Sequence, residues 1–122
     1  MLGLERERIW KTLVVRGDRT GPLFALIPIA ATLDLKALAR LAGDKRVEML
    51  PLKEVLAHTG YVRGAVTALG AKRAYPVFVD AASLALDRFG VSAGALGMEL
   101  LLAPADYVRA TGARVGAIVE PA

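Results

Sequence analysis

Hydrophobic positions in this chain come in short bursts cut by glycine and proline, and the period within each burst tells strands from helices. Residues 9–16 carry the β-branched cluster Thr-Leu-Val-Val and run into Gly17-Asp18-Arg19-Thr20-Gly21-Pro22. The apolar stretch 23–29 follows, so the pattern predicts a strand, a turn and an antiparallel mate. Leu35, Leu38, Ala39 and Leu41 recur at helical spacing, with Thr32 or Asp34 as cap and Gly43 as stop, which predicts a helix to about Ala42. A short strand at 47–50 and a helix at 52–58, opened by Pro51 and ended at Gly60, come next. Residues 61–69 read as irregular or weakly strand-like. Tyr75-Pro76-Val77-Phe78-Val79-Asp80 is a buried-strand pattern with proline at its start, where the missing N–H is tolerated. Beyond it the pattern predicts a helix at 81–89, extended chain at 91–94, a strand at 98–102, a helix at 104–111 stopped by Gly112, and a last strand at 113–119. Strands outnumber helices and several connections are too short for parallel crossovers, so the expected class is α+β with a mixed, curved sheet.

Composition narrows the picture. At 122 residues one core suffices, and no repeat, linker or low-complexity segment divides the chain. Hydrophobic residues make up 55% and charged residues 23%, with mean hydropathy +0.45; this is too apolar for disorder and leaves an excess for a partner surface or a cavity lining. The apolar runs 23–31 and 100–105 are too short to span a bilayer, and the charge-alternating start lacks a signal peptide's apolar core. Together with zero cysteines, which exclude disulfides, thiolate metal sites and cysteine nucleophiles, this makes cytoplasmic residence without membrane association the expectation. Sixteen Lys and Arg against twelve Asp and Glu give a net charge of +4, compatible with a phosphate-rich partner. Aromatic residues are sparse among the basic ones, so no base-stacking platform is evident.

The usual enzyme signatures are missing. His58 is the single histidine, at a helix C-terminus where the macrodipole favours it; nothing local pairs it with Ser83 or Ser92, the only serines. No His, Cys and carboxylate spacing suggests a metal, and no phosphate-binding or dinucleotide fingerprint is present, so neither metal nor cofactor is expected. Two glycine-punctuated stretches remain, 59–66 and 91–97, which read either as turns or as pocket walls made of main chain. Lys11 remains as well. It is a solvated strand residue by default, but in a small apolar pocket it offers three donors and a fixed charge to a phosphate or a developing oxyanion.

Six blocks occur here in a familiar order: Lys11-Thr12-Leu13-Val14-Val15, Leu33-Asp34-Leu35-Lys36-Ala37-Leu38-Ala39, Thr59-Gly60-Tyr61 through Gly64, Tyr75-Pro76-Val77-Phe78-Val79-Asp80, Val91-Ser92-Ala93-Gly94, and Leu102-Ala103-Pro104-Ala105-Asp106-Tyr107. In these the chain resembles the YbaK/ProX family of aminoacyl-tRNA editing domains, related to the insertion domain of bacterial prolyl-tRNA synthetase. The resemblance implies a barrel-like mixed α+β fold with surrounding helices, and a single editing domain over 1–122. That domain is short at its N-terminus, since only ten residues precede the Lys-Thr-Leu block. It implies hydrolysis of mischarged tRNA, typically alanyl- or cysteinyl-tRNA(Pro), with Lys11 as the key functional side chain and Thr12 beside it. It implies further that Tyr61, Gly64, Ala65, Val66 and Thr67 lie at the aminoacyl ester, and that Ser92, Ala93 and Gly94 line the pocket. Gly64-Ala65-Val66-Thr67-Ala68-Leu69-Gly70 stands where the family usually has Gly-Gly-Val-Ser-Pro-Phe/Leu-Gly, and Ala93-Gly94 where relatives commonly have Gly-Gly.

Three functions follow as expectations: a hydrolase acting in trans on mischarged tRNA, with prolyl-tRNA synthetase as a further partner; a catalytically weak tRNA- or synthetase-binding module of the same fold; and a small-molecule binding domain with no nucleic-acid partner. Because no conventional base is present, the first has Lys11 stabilise charge while a hydroxyl or thiol of the substrate takes the proton.

Overall fold

The computed structural model describes residues 8–59, 67–69, 75–94 and 99–121, apart from the side chains of Leu52, Leu56, Ala57 and His58. The expected irregular stretch 61–69 lies largely outside the described residues.

Strand β1 (Trp10–Gly17) turns through 18–20 into β2 (Gly21–Pro28), and the two pair antiparallel from Trp10↔Pro28 to Gly17↔Gly21. Helix α1 (Leu35–Ala42) is capped by Asp34, whose carboxylate accepts from the Ala37 N–H at 3.0 Å, and ends at Gly43 with φ 73°. β3 (Val47–Met49) pairs antiparallel with the end of β1, and α2 (Leu52–Thr59) follows it. β4 (Val77–Asp80) and β7 (Arg114–Gly116) add in parallel beyond β2, so the sheet order is β3-β1-β2-β4-β7. β5 (Phe89–Ser92) and β6 (Glu99–Leu102) form a separate antiparallel ribbon, and α3 (Pro104–Thr111) precedes β7. The α+β class and the mixed sheet are as expected, and among the described residues the sheet is open and does not close into a barrel.

The strand period of two sorts the core into two clusters, one on each sheet face. Val15, Leu23, Ala25, Ile27 and Phe78 face α1, where Leu38 and Ala39 meet them. Trp10, Val14, Phe24, Leu26, Val77 and Val79 face the other way, against Val55 of α2, Phe89 and Val91 of the ribbon, and Tyr107 of α3. Phe89 stands edge-on to both Trp10, at 5.3 Å between ring centroids, and Tyr107, at 5.7 Å.

That aromatic cluster explains one departure from the sequence pattern. Only Ala81–Ala85 is helical in the predicted 81–89 stretch, as a 3-10 turn capped by Asp80, and the chain extends by Leu86 because Phe89 is fully buried as a strand residue. The other departure is at the C-terminus, where β7 stops at Gly116. Oδ1 of Asp80 accepts from the Ile118 N–H at 2.9 Å, drawing the chain off β4 and toward Leu33, which bridges Val119.

Candidate active site at an open strand edge

The two neighbours of β1 on its outer edge each cover only part of it. β3 pairs with Val15 to Gly17, and the last bond on this side runs from the Leu50 N–H to the Val14 carbonyl at 3.0 Å. At the other end the β5 residue Gly90 bridges Ile9 in parallel. Ile9 itself accepts from the Ile29 N–H at 2.9 Å on the β2 side, which leaves only the outer edge for β5. Antiparallel alternation sends the main-chain groups of odd residues toward β2 and those of even residues toward β3. The N–H and C=O of Thr12 therefore face the gap between β3 and β5, with no described strand beside them.

A cavity of about 640 Å3 fills this gap, within the size range of small-molecule sites. Since the edge is open, residues from both faces of β1 reach it. Trp10, Thr12 and Val14 line it from one face together with Leu50, Val55, Ser92 and Glu99; Lys11, Leu13, Ile29 and Met49 line it from the other. The lining is largely apolar, and Ile29 and Met49 remain 40% and 46% exposed, so the mouth is greasy and accessible.

The polar atoms on this wall have spare bonding capacity. Thr12 Oγ1 and Glu99 Oε2 are buried and have no hydrogen-bond partner among the described residues. Burial raises the Glu99 pKa above the usual carboxylate value. Ser92 Oγ accepts from the Gly94 N–H at 3.3 Å, which leaves its own proton for a guest. Lys11 is partly buried and makes no ion pair among the described residues. The other basic group of β1 differs: Arg16 is paired with Glu54 of α2, tying the cavity's helical wall to the strand.

Of the residues singled out by sequence, Lys11, Thr12 and Ser92 come together on the cavity. Thr67 is 2% exposed and its hydroxyl accepts from the Leu69 N–H at 3.2 Å; Ala93 is exposed and Gly94 has φ 95°; none of the three is in the described lining. Tyr61, Gly64, Ala65 and Val66 lie outside the described residues. Sequence reasoning missed Glu99, although a lone carboxylate opening an apolar strand after a glycine loop is a signal of the right kind. It missed Met49, Leu50 and Val55 as well, because only tertiary packing carries them to β1. A second depression of about 550 Å3 between the 3-10 turn and α3 offers no cation as free as Lys11, since Arg109 there is paired with Asp106. Among the described residues no group of three metal-ligating side chains converges, and no helix is long and apolar enough to cross a membrane.

An open mixed sheet with a cavity at a lysine-bearing strand edge defines a class, and sequence comparison identifies it. Residues 1–110 match the family model of the aminoacyl-tRNA editing domain, and the chain belongs to that family. A protein of Enterococcus faecalis named as a Cys-tRNA(Pro)/Cys-tRNA(Cys) deacylase is 47% identical over 103 residues, covering 84% of this chain and 63% of that protein. The chain thus spans somewhat less than two thirds of the length of that relative. A solved structure described as a trans-editing enzyme for prolyl tRNA synthetase superposes with TM-score 0.90 at 27% identity, over 98% of this chain and 75% of that one. A signal transduction protein from Marinobacter aquaeolei shares the fold, with TM-score 0.78 at 20% identity, over 99% of this chain but 27% of its own length.

Proposed function

We propose that this chain is a hydrolase that acts in trans in the cytoplasm, cleaving the ester between tRNA and a small wrong amino acid such as alanine or cysteine, with tRNA(Pro) as the preferred carrier and prolyl-tRNA synthetase as the enzyme whose errors it clears. The observation that carries the reading is the meeting, at one cavity, of an ammonium with no ion pair among the described residues, Lys11, and a strand edge with no described strand beside it. Membership of the editing family and the name of the 47% identical relative support the same chemistry.

Ester hydrolysis needs a home for the negative charge that develops on the carbonyl oxygen. Preorganised N–H donors and a fixed cation supply it most effectively in a water-poor site. The Thr12 N–H and the Lys11 ammonium are donors of both kinds, approaching from the edge of β1 and from one of its faces. Ser92 and Thr12 hydroxyls add donors for the terminal ribose. No histidine or cysteine lines the described cavity, and in this reading the ribose hydroxyl beside the ester relays the proton, accepting from the attacking water as it gives its own to the departing ester oxygen, which leaves as the second ribose hydroxyl. Lys11 holds the reacting group in place and stabilises charge. The whole of residues 1–122 serves as one editing domain in this reading, with the loop carrying Tyr61, Gly64, Ala65 and Val66 assigned to the ester, whereas Thr67, Ala93 and Gly94 stand outside the described lining and are assigned no contact with it.

A deacylation assay with alanyl-, cysteinyl-, seryl- and prolyl-tRNA(Pro) tests the reading. Turnover of at least one of the first three, lost in Lys11→Ala, is the expected result. Binding of tRNA without turnover by the unaltered protein would instead make it a binding module of the same fold, and failure to bind tRNA at low salt would exclude both.

A further inference from the structure

Glu99 has no task in the deacylation described above, yet it is held on the cavity wall. It opens β6 directly opposite Ser92 in the β5–β6 ladder, so the two side chains leave the ribbon on one face, and both line the cavity. Its Oε2 is buried with no hydrogen-bond partner. Such a carboxylate is costly unless a cation or several donors reach it. Among the described residues none forms an ion pair with it: Lys11 lies on the opposite face of β1 from Thr12 and is itself unpaired there. Trp10, Val14, Leu50 and Val55 on its side of the cavity carry no charge, and Lys11 is the single cation in the described lining. Burial accordingly shifts the carboxyl toward its neutral form, and a cation beside it would oppose that shift.

Resting on the deacylase reading, we propose that Glu99 binds the free α-ammonium group of the aminoacyl ester, and so restricts the site to aminoacyl-tRNA and excludes tRNA whose amino acid is N-acylated, as in a peptidyl-tRNA. An aminoacyl ester carries its ammonium one carbon from the carbonyl, so a carboxylate sharing a cavity with the oxyanion donors is correctly stationed to hold it. Acylation of that nitrogen removes the charge, adds bulk and leaves the buried Oε2 of Glu99 without a cation. A site built to bond a polar group rejects the analogue lacking it far more strongly than a pocket that reads shape alone. A carboxylate that activated water instead would serve both kinds of ester equally, which makes the two roles separable by experiment.

The experiment compares alanyl-tRNA with N-acetyl-alanyl-tRNA as substrates of the unaltered chain, Glu99→Gln and Glu99→Asp. The unaltered chain is expected to prefer the free amine by about a hundredfold or more. Glu99→Gln should lower kcat/KM for the free amine by roughly tenfold to a hundredfold, chiefly through KM, and leave the slow N-acetyl reaction unchanged; Glu99→Asp should fall between. The KM of the unaltered chain for alanyl-tRNA should also rise as pH passes about 8, where an α-amino group loses its proton, and Glu99→Gln should not show that rise. Equal losses on both esters, or a KM of the unaltered chain that ignores pH, overturn the inference while leaving deacylation intact. The ester preference and the pH dependence need no variant, so they decide the matter even if a substitution fails to fold. An unaltered chain that hydrolyses neither ester overturns the deacylase reading, and this inference with it.

Discussion

Lys11 and Thr12 are neighbours in sequence but project to opposite faces of β1, and only because the strand edge is open do both reach one cavity. Truncating the lysine removes a half-buried cation that lies in neither core cluster and makes no ion pair among the described residues. Lys11→Ala is therefore expected to lower deacylation more than tenfold, a barrier rise above about 1.4 kcal/mol, with a melting temperature near that of the unaltered chain. Steady-state turnover and thermal melting on the same preparations check this, and parallel losses in both would assign Lys11 to structure. Asp44 is the opposite kind of residue. It accepts from the Thr20 N–H at 3.0 Å and hydroxyl at 2.9 Å and from the Arg19 N–H at 3.1 Å, binding the β1–β2 turn to the end of α1. Those bonds, led by the Thr20 N–H, hold its pKa well below the usual carboxylate range. A carboxylate depressed in the folded state stabilises fully above its unfolded pKa of about 4, and that contribution fades as pH falls below it. Asp44→Asn should lower the melting temperature at pH 7 and lose less between pH 5 and pH 3 than the unaltered chain does, as acid titration followed by circular dichroism would register.

Local signals set most of the elements. The helix α1 was legible because its start, stop and apolar stripe are all short-range: Asp34, Gly43, and Leu38 with Ala39. The β1–β2 hairpin was legible from its turn chemistry. What the sequence did not disclose is decided at a distance, since Phe89 is a strand residue on account of Trp10 and Tyr107, and 117–119 leaves the sheet on account of Asp80. The candidate site divides the same way: Lys11, Thr12 and Ser92 were readable from motif blocks, whereas Glu99, Met49 and Val55 gain meaning only from where β3 and β5 stop. Two glycine variants separate these levels. Gly43→Ala imposes a side chain on φ 73° with open space around it, and should cost about 1 kcal/mol. Gly17→Ala sets a Cβ 2.2 Å from both Asp44 Oδ2 and Thr20 Oγ1, breaking the turn network itself, and should cost more. Denaturant titration of both ranks them, and a milder effect at Gly17 would mean that Asp44 is not the clasp.

For the whole molecule, the proposed function assigns the net charge of +4 to the tRNA and the apolar cavity to the amino acid. Affinity for tRNA should fall steeply with salt, as counterion release requires, while preference among amino acids should not change with salt. That preference is expected to act as a size ceiling. A wall of Leu13, Val14, Leu50 and Val55 distinguishes one methylene by only about 1 to 3 kcal/mol, but it can refuse a bulkier residue by clash. In competition, alanyl and cysteinyl esters should be cleared while prolyl-tRNA(Pro) survives, and hydrolysis of the prolyl ester at a comparable rate would refute the ceiling.

The interrupted edge of β1 also bears on self-association. Unpaired strand edges invite a neighbouring molecule to zip on and begin aggregation, and common defences are charges, proline or a covering element. Here the vacant stretch is bounded by β3 on one side and β5 on the other, with Pro51 and Lys11 at its borders. An intruding strand would find too short a berth to register against, whereas the gap is wide enough for a small ligand. Lengthening the vacancy, for instance by proline substitutions that unpair β3 at Glu48, should therefore produce self-association before it produces unfolding, and light scattering during a slow temperature ramp would see the two events in that order.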